Sequence, residues 1–111
     1  MLELGTEQRQ GWLVVGVGGR LDTATAPAFD EKRTAWMGEG HRRYVLDLSK
    51  LDYLSSAGLR SIISMAKQAG SDGGQVSLAG AQGLVKDVID LSGFNVLLST
   101  FDSVDDAVAA A

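Results

Sequence analysis

Between two short β-rich runs, Tyr44 to Leu48 and Gln75 to Ala79, lies the clearest amphipathic helix of the chain, Ser56 to Gly70. Leu59, Ile62, Ile63, Ala66 and Ala69 share one face of it, while Arg60, Ser64, Lys67 and Gln68 occupy the other. A strand, a crossover helix and a following strand close into one layer pair when the strands run parallel and the crossover is right-handed.

The alternation extends to both sides. Trp12 to Gly18 reads as a strand, and Leu2 to Gln8 as an edge strand paired with it in an opening hairpin. Asp22, Thr23 and Thr25 offer N-cap oxygens and Pro27 suits a first helical turn. Phe29, Trp36 and Met37 then follow at helical spacing, so a helix is predicted from Ala26 to Met37, ended by Gly38 and Gly40. Arg33 falls on its apolar stripe and must snorkel or face a partner. A third helix carries Leu84, Val85, Val88 and Ile89 on one stripe and closes at Gly93, and Val96 to Leu98 reads as a last short strand. Ser103 and Asp106 have capping-box spacing for a terminal helix with Val104, Ala107, Val108 and Ala111 on its apolar face. The predicted class is α/β, a mixed and largely parallel sheet of about five strands with about four helices.

At 111 residues this is one domain, 1–111, with no linker or repeat to divide it. The apolar run Trp12 to Val15, like every other pure apolar run in the chain, is far below the roughly 18 residues of a membrane span. Met1 to Gln10 lacks the basic and apolar regions of a secretory leader, so a cytoplasmic chain is expected. There is no cysteine, and the lone His41 argues against a zinc site. No cofactor is expected: Gly16-Val17-Gly18-Gly19 lacks the spacing and lysine of a phosphate loop, and Trp12, Trp36, Met37 and Met65 read as packing residues. A net charge of -4 disfavours nucleic acid as a partner, and the basic cluster His41, Arg42 and Arg43 reads as a solubilising flank to the next strand.

The segment from Asp47 to Arg60, Asp-Leu-Ser-Lys-Leu-Asp-Tyr-Leu-Ser-Ser-Ala-Gly-Leu-Arg, carries a strand through a loop into the amphipathic helix. In open α/β sheets, ligands and partners gather at the carboxyl ends of strands. One reading is that Ser55 or Ser56 caps the helix. Against it, Gly58 and Leu59 stand where an acid would complete a capping box. Gly58 also costs about 1 kcal/mol relative to alanine in a helix, which implies a close approach to its backbone.

In order and spacing, these pieces resemble the STAS domains, in particular single-domain anti-sigma-factor antagonists of bacterial partner-switching systems. Gly19-Arg20-Leu21-Asp22 is similar to the motif ending that family's opening strand, and Ser55-Ser56-Ala57-Gly58-Leu59 to its central motif. Val85-Lys86 and Leu91-Ser92-Gly93-Phe94 resemble its later helix. The resemblance puts the phosphorylated serine at Ser56, with Ser55, where the family often has aspartate, as the alternative acceptor. It implies binding to an anti-sigma factor that is also a serine kinase of the histidine-kinase-like ATPase type, using ATP and magnesium. It also implies reversal by a serine phosphatase, and no catalysis by the chain itself.

A phosphoserine adds about 1.5 to 2 negative charges, which a helix N-terminus tolerates and a partner contact does not. The expected partner-binding residues are Asp22, Asp52, Ser55, Ser56, Gly58 and Arg60, with Arg60 four residues past Ser56 and able to pair with its phosphate. Three rival readings fit less well. A serine hydrolase lacks a Gly-x-Ser-x-Gly elbow, and a receiver domain phosphorylated at Asp47 or Asp52 lacks convincing partner acids. A STAS subunit or scaffold of a lipid-transport or signalling assembly would share the fold, and the serine at the acceptor position favours the switch.

Overall fold

The computed structural model describes residues 1–93 and 98–110. The strands are β1 (Leu2–Arg9), β2 (Trp12–Leu21), β3 (Arg43–Asp47), β4 (Leu51–Leu54), β5 (Gln75–Ala79) and β6 (Ser99–Phe101). The helices are α1 (Ala26–Gly38), α2 (Ser56–Ser71), α3 (Gly83–Ser92) and α4 (Val104–Ala109). The sheet runs β1-β2-β3-β5-β6, with β4 paired to β2 off that path. β1 is antiparallel to β2, and every other pairing is parallel.

The hairpin closes through Gln10 and Gly11, both at positive φ (52° and 86°), the geometry of a two-residue turn that matches strand twist. β2 is ten residues long and, besides β1, serves two parallel partners: Leu13 to Gly16 pair with β3, and Gly19 to Leu21 pair with β4. The register shifts between Gly19 and Arg20, and only glycine fits there. Its φ is 85°, and a Cβ would sit 2.1 Å from the Met1 carbonyl oxygen.

The helices divide unequally over the two faces. Val15, Val17, Leu21, Tyr44, Leu46, Leu54 and Leu78 form the main core with Phe29 and Trp36 of α1, Leu59, Ile62 and Met65 of α2, and Val85 and Ile89 of α3. On the other face α4 packs Ala107 and Val108 on Trp12, Val14, Val45 and Ala79. Arg33 lies in the α1–α2 seam rather than toward a partner, donating to Asp30 Oδ1 at 3.0 Å and Gln68 Oε1 at 3.1 Å.

Six strands are seen among the described residues, where about five were expected. The additional one is β4, which sequence periodicity hides: Leu51 and Leu54 are buried while Asp52 and Tyr53 between them are exposed, so strict alternation fails. α3 buries Val85 and Ile89, but Leu84, expected on the same stripe, is 71% exposed, as is Leu91 at 88%. The buried stripe is the narrow i, i+4 line of Val85 and Ile89, and one step in a helix turns a side chain about 100° off it. Gly93 ends α3 at φ 77°, as expected of a left-handed cap. Ser103 Oγ accepts from the Asp106 amide at 3.1 Å, the cap expected for α4. In the strand predicted at Val96 to Leu98, Val96 and Leu97 lie outside the described residues, as do Phe94 and Ala111; the strand observed beside β5 is β6.

Candidate functional site

Leu21 is wholly buried at the end of β2, and its carbonyl accepts the Ser55 amide at 3.0 Å. The first turn of α2 therefore sits on the last residue of β2. Gly58 makes that fit possible, because a Cβ there would lie 2.5 Å from the Leu21 carbonyl oxygen and 2.9 Å from Leu21 Cγ. The close approach expected at Gly58 is thus made by the chain's own β2, not by an outside partner.

The two serines play different parts. Ser55 is the N-cap of α2, extended in backbone, and its Oγ accepts the Gly58 amide at 3.1 Å. Ser56 is the first helical residue, exposed, and its hydroxyl makes no hydrogen bond among the described residues. The Ser56 and Ala57 amides belong to the first turn of the helix, where amides have no intrahelical acceptor. Ser55→Ala is expected to lower stability by about 1 kcal/mol, the ordinary cost of losing a serine cap, in a urea titration. Ser56→Ala, which deletes no bond, is expected to leave the midpoint unchanged.

Asp22 anchors the neighbouring β2–α1 loop. Its Oδ1 accepts the Ala24 amide at 3.0 Å, the Thr25 amide at 3.1 Å and the Thr25 hydroxyl at 3.1 Å, and Arg20 Nε lies 3.5 Å from Oδ2. The Thr25 amide bond leads the effects that hold this carboxyl below its ordinary pKa, aided by the Thr25 hydroxyl, the Ala24 amide and Arg20 against partial desolvation. A depressed carboxylate stabilises the fold fully above its unfolded value of about 3.9 and loses that contribution as pH falls through the folded value. Asp22→Asn should therefore lower the melting temperature most at neutral pH, with the gap to wild type closing as pH falls below about 3.9.

Arg20 also lies over the Tyr53 ring, guanidinium carbon to centroid 4.2 Å, and the two are register partners on β2 and β4. Each residue of Gly19-Arg20-Leu21-Asp22 thus has a structural role. Gly19 permits the register shift, Arg20 stacks on Tyr53, Leu21 seats α2 and Asp22 anchors the loop.

Of the remaining predicted residues, Arg60 is exposed and lines an α1–α2 cleft of about 270 Å³ with Thr23, Asp30 and Ser64. Asp52 is set apart. It lines an open groove of about 410 Å³ with Glu3, Asp47 and Lys50, over the backbones of Gly5, Gly16 and Gly18. Tyr53 and the exposed leucines of α3, not expected at a surface, were signalled in the sequence only by apolar residues beyond what a single stripe buries. His41 precedes β3 at the end of the sheet away from Ser56, which follows the carboxyl end of β4. No helix among the described residues is long and apolar enough to cross a membrane.

A hairpin-opened sheet, three helices on one face and a serine-bearing helix start at the strand ends define a small α/β domain of one particular architecture. Residues 3–107 match the STAS domain, and the chain belongs to that family. It is 34% identical over 109 residues to BtrV of Bordetella bronchiseptica, named as a putative anti-sigma factor antagonist, covering 98% of this chain and 94% of that one. Among solved structures it resembles an anti-sigma factor antagonist from Mycobacterium paratuberculosis, with TM-score 0.89, 28% identity, and 99% and 93% of the two chains covered. It also shares its fold with the Bacillus cell fate determinant SpoIIAA in the phosphorylated form, at TM-score 0.74 and 14% identity over 97% and 98% of the two chains.

Proposed function

We propose that this STAS domain is an anti-sigma factor antagonist that binds an anti-sigma factor and is released when Ser56 is phosphorylated. The observation that carries the reading is the division of labour at the start of α2: Ser55 is engaged as the cap, and the Ser56 hydroxyl is exposed and unbonded among the described residues. Of the two candidate acceptors, Ser56 is the one a kinase can modify without dismantling the helix. Phosphate there meets the free first-turn amides and the positive end of the helix dipole, so the fold tolerates it. Arg60, one turn on, has no ion-pair partner among the described residues and is available to the phosphate.

The docking face comprises Ser56, the Asp22 loop and Arg60, with Ser55 and Gly58 holding its shape. Asp52, from its groove, contributes at the margin. The names of the relatives support an anti-sigma factor as the partner; the serine at the acceptor position adds the reading that this factor is also a serine kinase, opposed by a serine phosphatase.

The test is to incubate the protein with ATP, magnesium and a candidate anti-sigma kinase, then map the product by intact mass and peptide sequencing. One phosphate, on Ser56, retained in Ser55→Ala and absent from Ser56→Ala, is the expected result. A phosphate that persists in Ser56→Ala would refute the assignment. In the same assay Arg60→Ala is expected to alter phosphorylation rate or partner release; no change in either would remove Arg60 from the switch.

A further inference from the structure

β1 pairs with β2 along one edge and with no described strand along the other. The hydrogen-bond alternation fixes what that free edge offers. The Arg20 amide donates to the Met1 carbonyl at 3.0 Å, while the Gly19 amide points the opposite way, to the Lys50 carbonyl at 3.0 Å. Met1 and Arg20 are thus a hydrogen-bonded pair, and in an antiparallel ladder such pairs recur at every second residue. The tight Gln10-Gly11 turn, flanked by the pair Arg9 and Trp12, gives the same phase from the other end. Glu3, Gly5, Glu7 and Arg9 therefore direct their backbone groups to β2. Leu2, Leu4, Thr6 and Gln8 direct theirs outward.

This edge is eight residues long, unbroken in register and free of proline. Natural edges this long are usually blunted, and here Glu3 and Glu7 are the only acidic side chains doing so. Their effect depends on register. A second copy pairing about a two-fold axis must set outward residues against outward residues. Centred on Gly5, such a pairing puts Glu3 against Glu7 twice. Centred on Leu4, it sets Glu3 against Gly5 and gives Glu3 no cation. Centred on Thr6, it sets Thr6 against Thr6, Leu4 against Gln8, and Glu3 against Arg9 on both sides of the axis.

We propose that two copies of this chain associate antiparallel through β1, centred on Thr6, so that one sheet runs across the dimer. Charge complementarity selects both the occupant and the register: the edge is self-complementary in this register and self-repelling in the one beside it. Arg9 is free to serve both partners. It donates through Nη2 to Asp105 Oδ1 at 2.6 Å, and a guanidinium has five N–H donors, which leaves others for Glu3 of the second copy.

Sedimentation velocity from micromolar to millimolar protein tests this. Wild type is expected to dimerise reversibly. Thr6→Pro removes an outward amide and no β1–β2 bond, so it should be monomeric with an unchanged circular dichroism spectrum. Glu3→Arg and Arg9→Glu alone should each weaken self-association about tenfold, because two cross-strand pairs become like-charged. Mixed in equal amounts they should form a heterodimer as tight as wild type, since every cross-strand pair is then opposite in sign. A wild type that stays monomeric, a folded Thr6→Pro that still dimerises, or a mixture no tighter than its components would each overturn the proposal.

Discussion

Ser56→Glu is expected to bind the anti-sigma partner ten- to a hundredfold more weakly than wild type, a loss of about 1.4 to 2.7 kcal/mol. The loss arises from desolvating an unpaired charge inside a contact that wild type makes with a neutral hydroxyl. The fold should not suffer for it. An acidic side chain at the first helical residue favours the helix dipole by about 0.3 to 1 kcal/mol, so the melting temperature should hold or rise slightly. Calorimetric titration beside thermal denaturation separates the two effects. A variant that lost affinity and melting temperature together would place the damage in folding and remove the switch from Ser56. Ser56→Ala, neutral and small, should bind as wild type does and stay insensitive to the kinase.

The second large effect is at Gly58. Gly58→Ala drives a Cβ to within 2.5 Å of the Leu21 carbonyl oxygen, a backbone atom that cannot rotate away. Overpacking costs about 1 to 3 kcal/mol, and a backbone clash belongs at the upper end. Alanine returns about 1 kcal/mol of helix propensity, leaving a net loss of about 2 kcal/mol. For a domain of this size that is a fall of on the order of 10 °C in melting temperature. Gly70, in the same helix, is the internal control: no atom lies within 4 Å of its added Cβ. Gly70→Ala should therefore stabilise by about 0.5 to 1 kcal/mol, so the two substitutions should move the melting temperature in opposite directions. Equal signs would mean that helix propensity, not the seat on Leu21, governs Gly58. Because that seat also positions the Asp22 loop, Gly58→Ala should weaken partner binding, whereas Gly70→Ala should not.

These two residues mark how far the sequence could be read. The helix at 56–70 was legible because its apolar residues repeat every turn, and so was the hairpin, because the apolar run from Trp12 follows the edge strand Leu2 to Gln8 across a short turn at Gly11. The capping pair Ser103 and Asp106 was legible for a local reason too: a cap needs only three residues of spacing. β4 was not, because its two buried leucines enclose two exposed residues and its strand character comes from pairing with the far half of β2. Leu84 was misplaced because periodicity gives the angle of a stripe but not which part of it the sheet covers.

At the site the same division holds. That a serine pair stands at a strand-to-helix junction is written in the chain. So is the order of the motifs by which it resembles the STAS domains. Tertiary structure alone decided which serine is free, because the choice depends on whose hydroxyl the Gly58 amide meets once α2 is seated on Leu21. It likewise decided that Gly58 receives Leu21 and that Asp52 lies in a separate groove from Arg60. Local order follows from neighbours a turn or a pleat away, which the sequence contains in full. The exposure of a hydroxyl and the company of a carboxylate follow from residues distant along the chain, which only the closed sheet brings together.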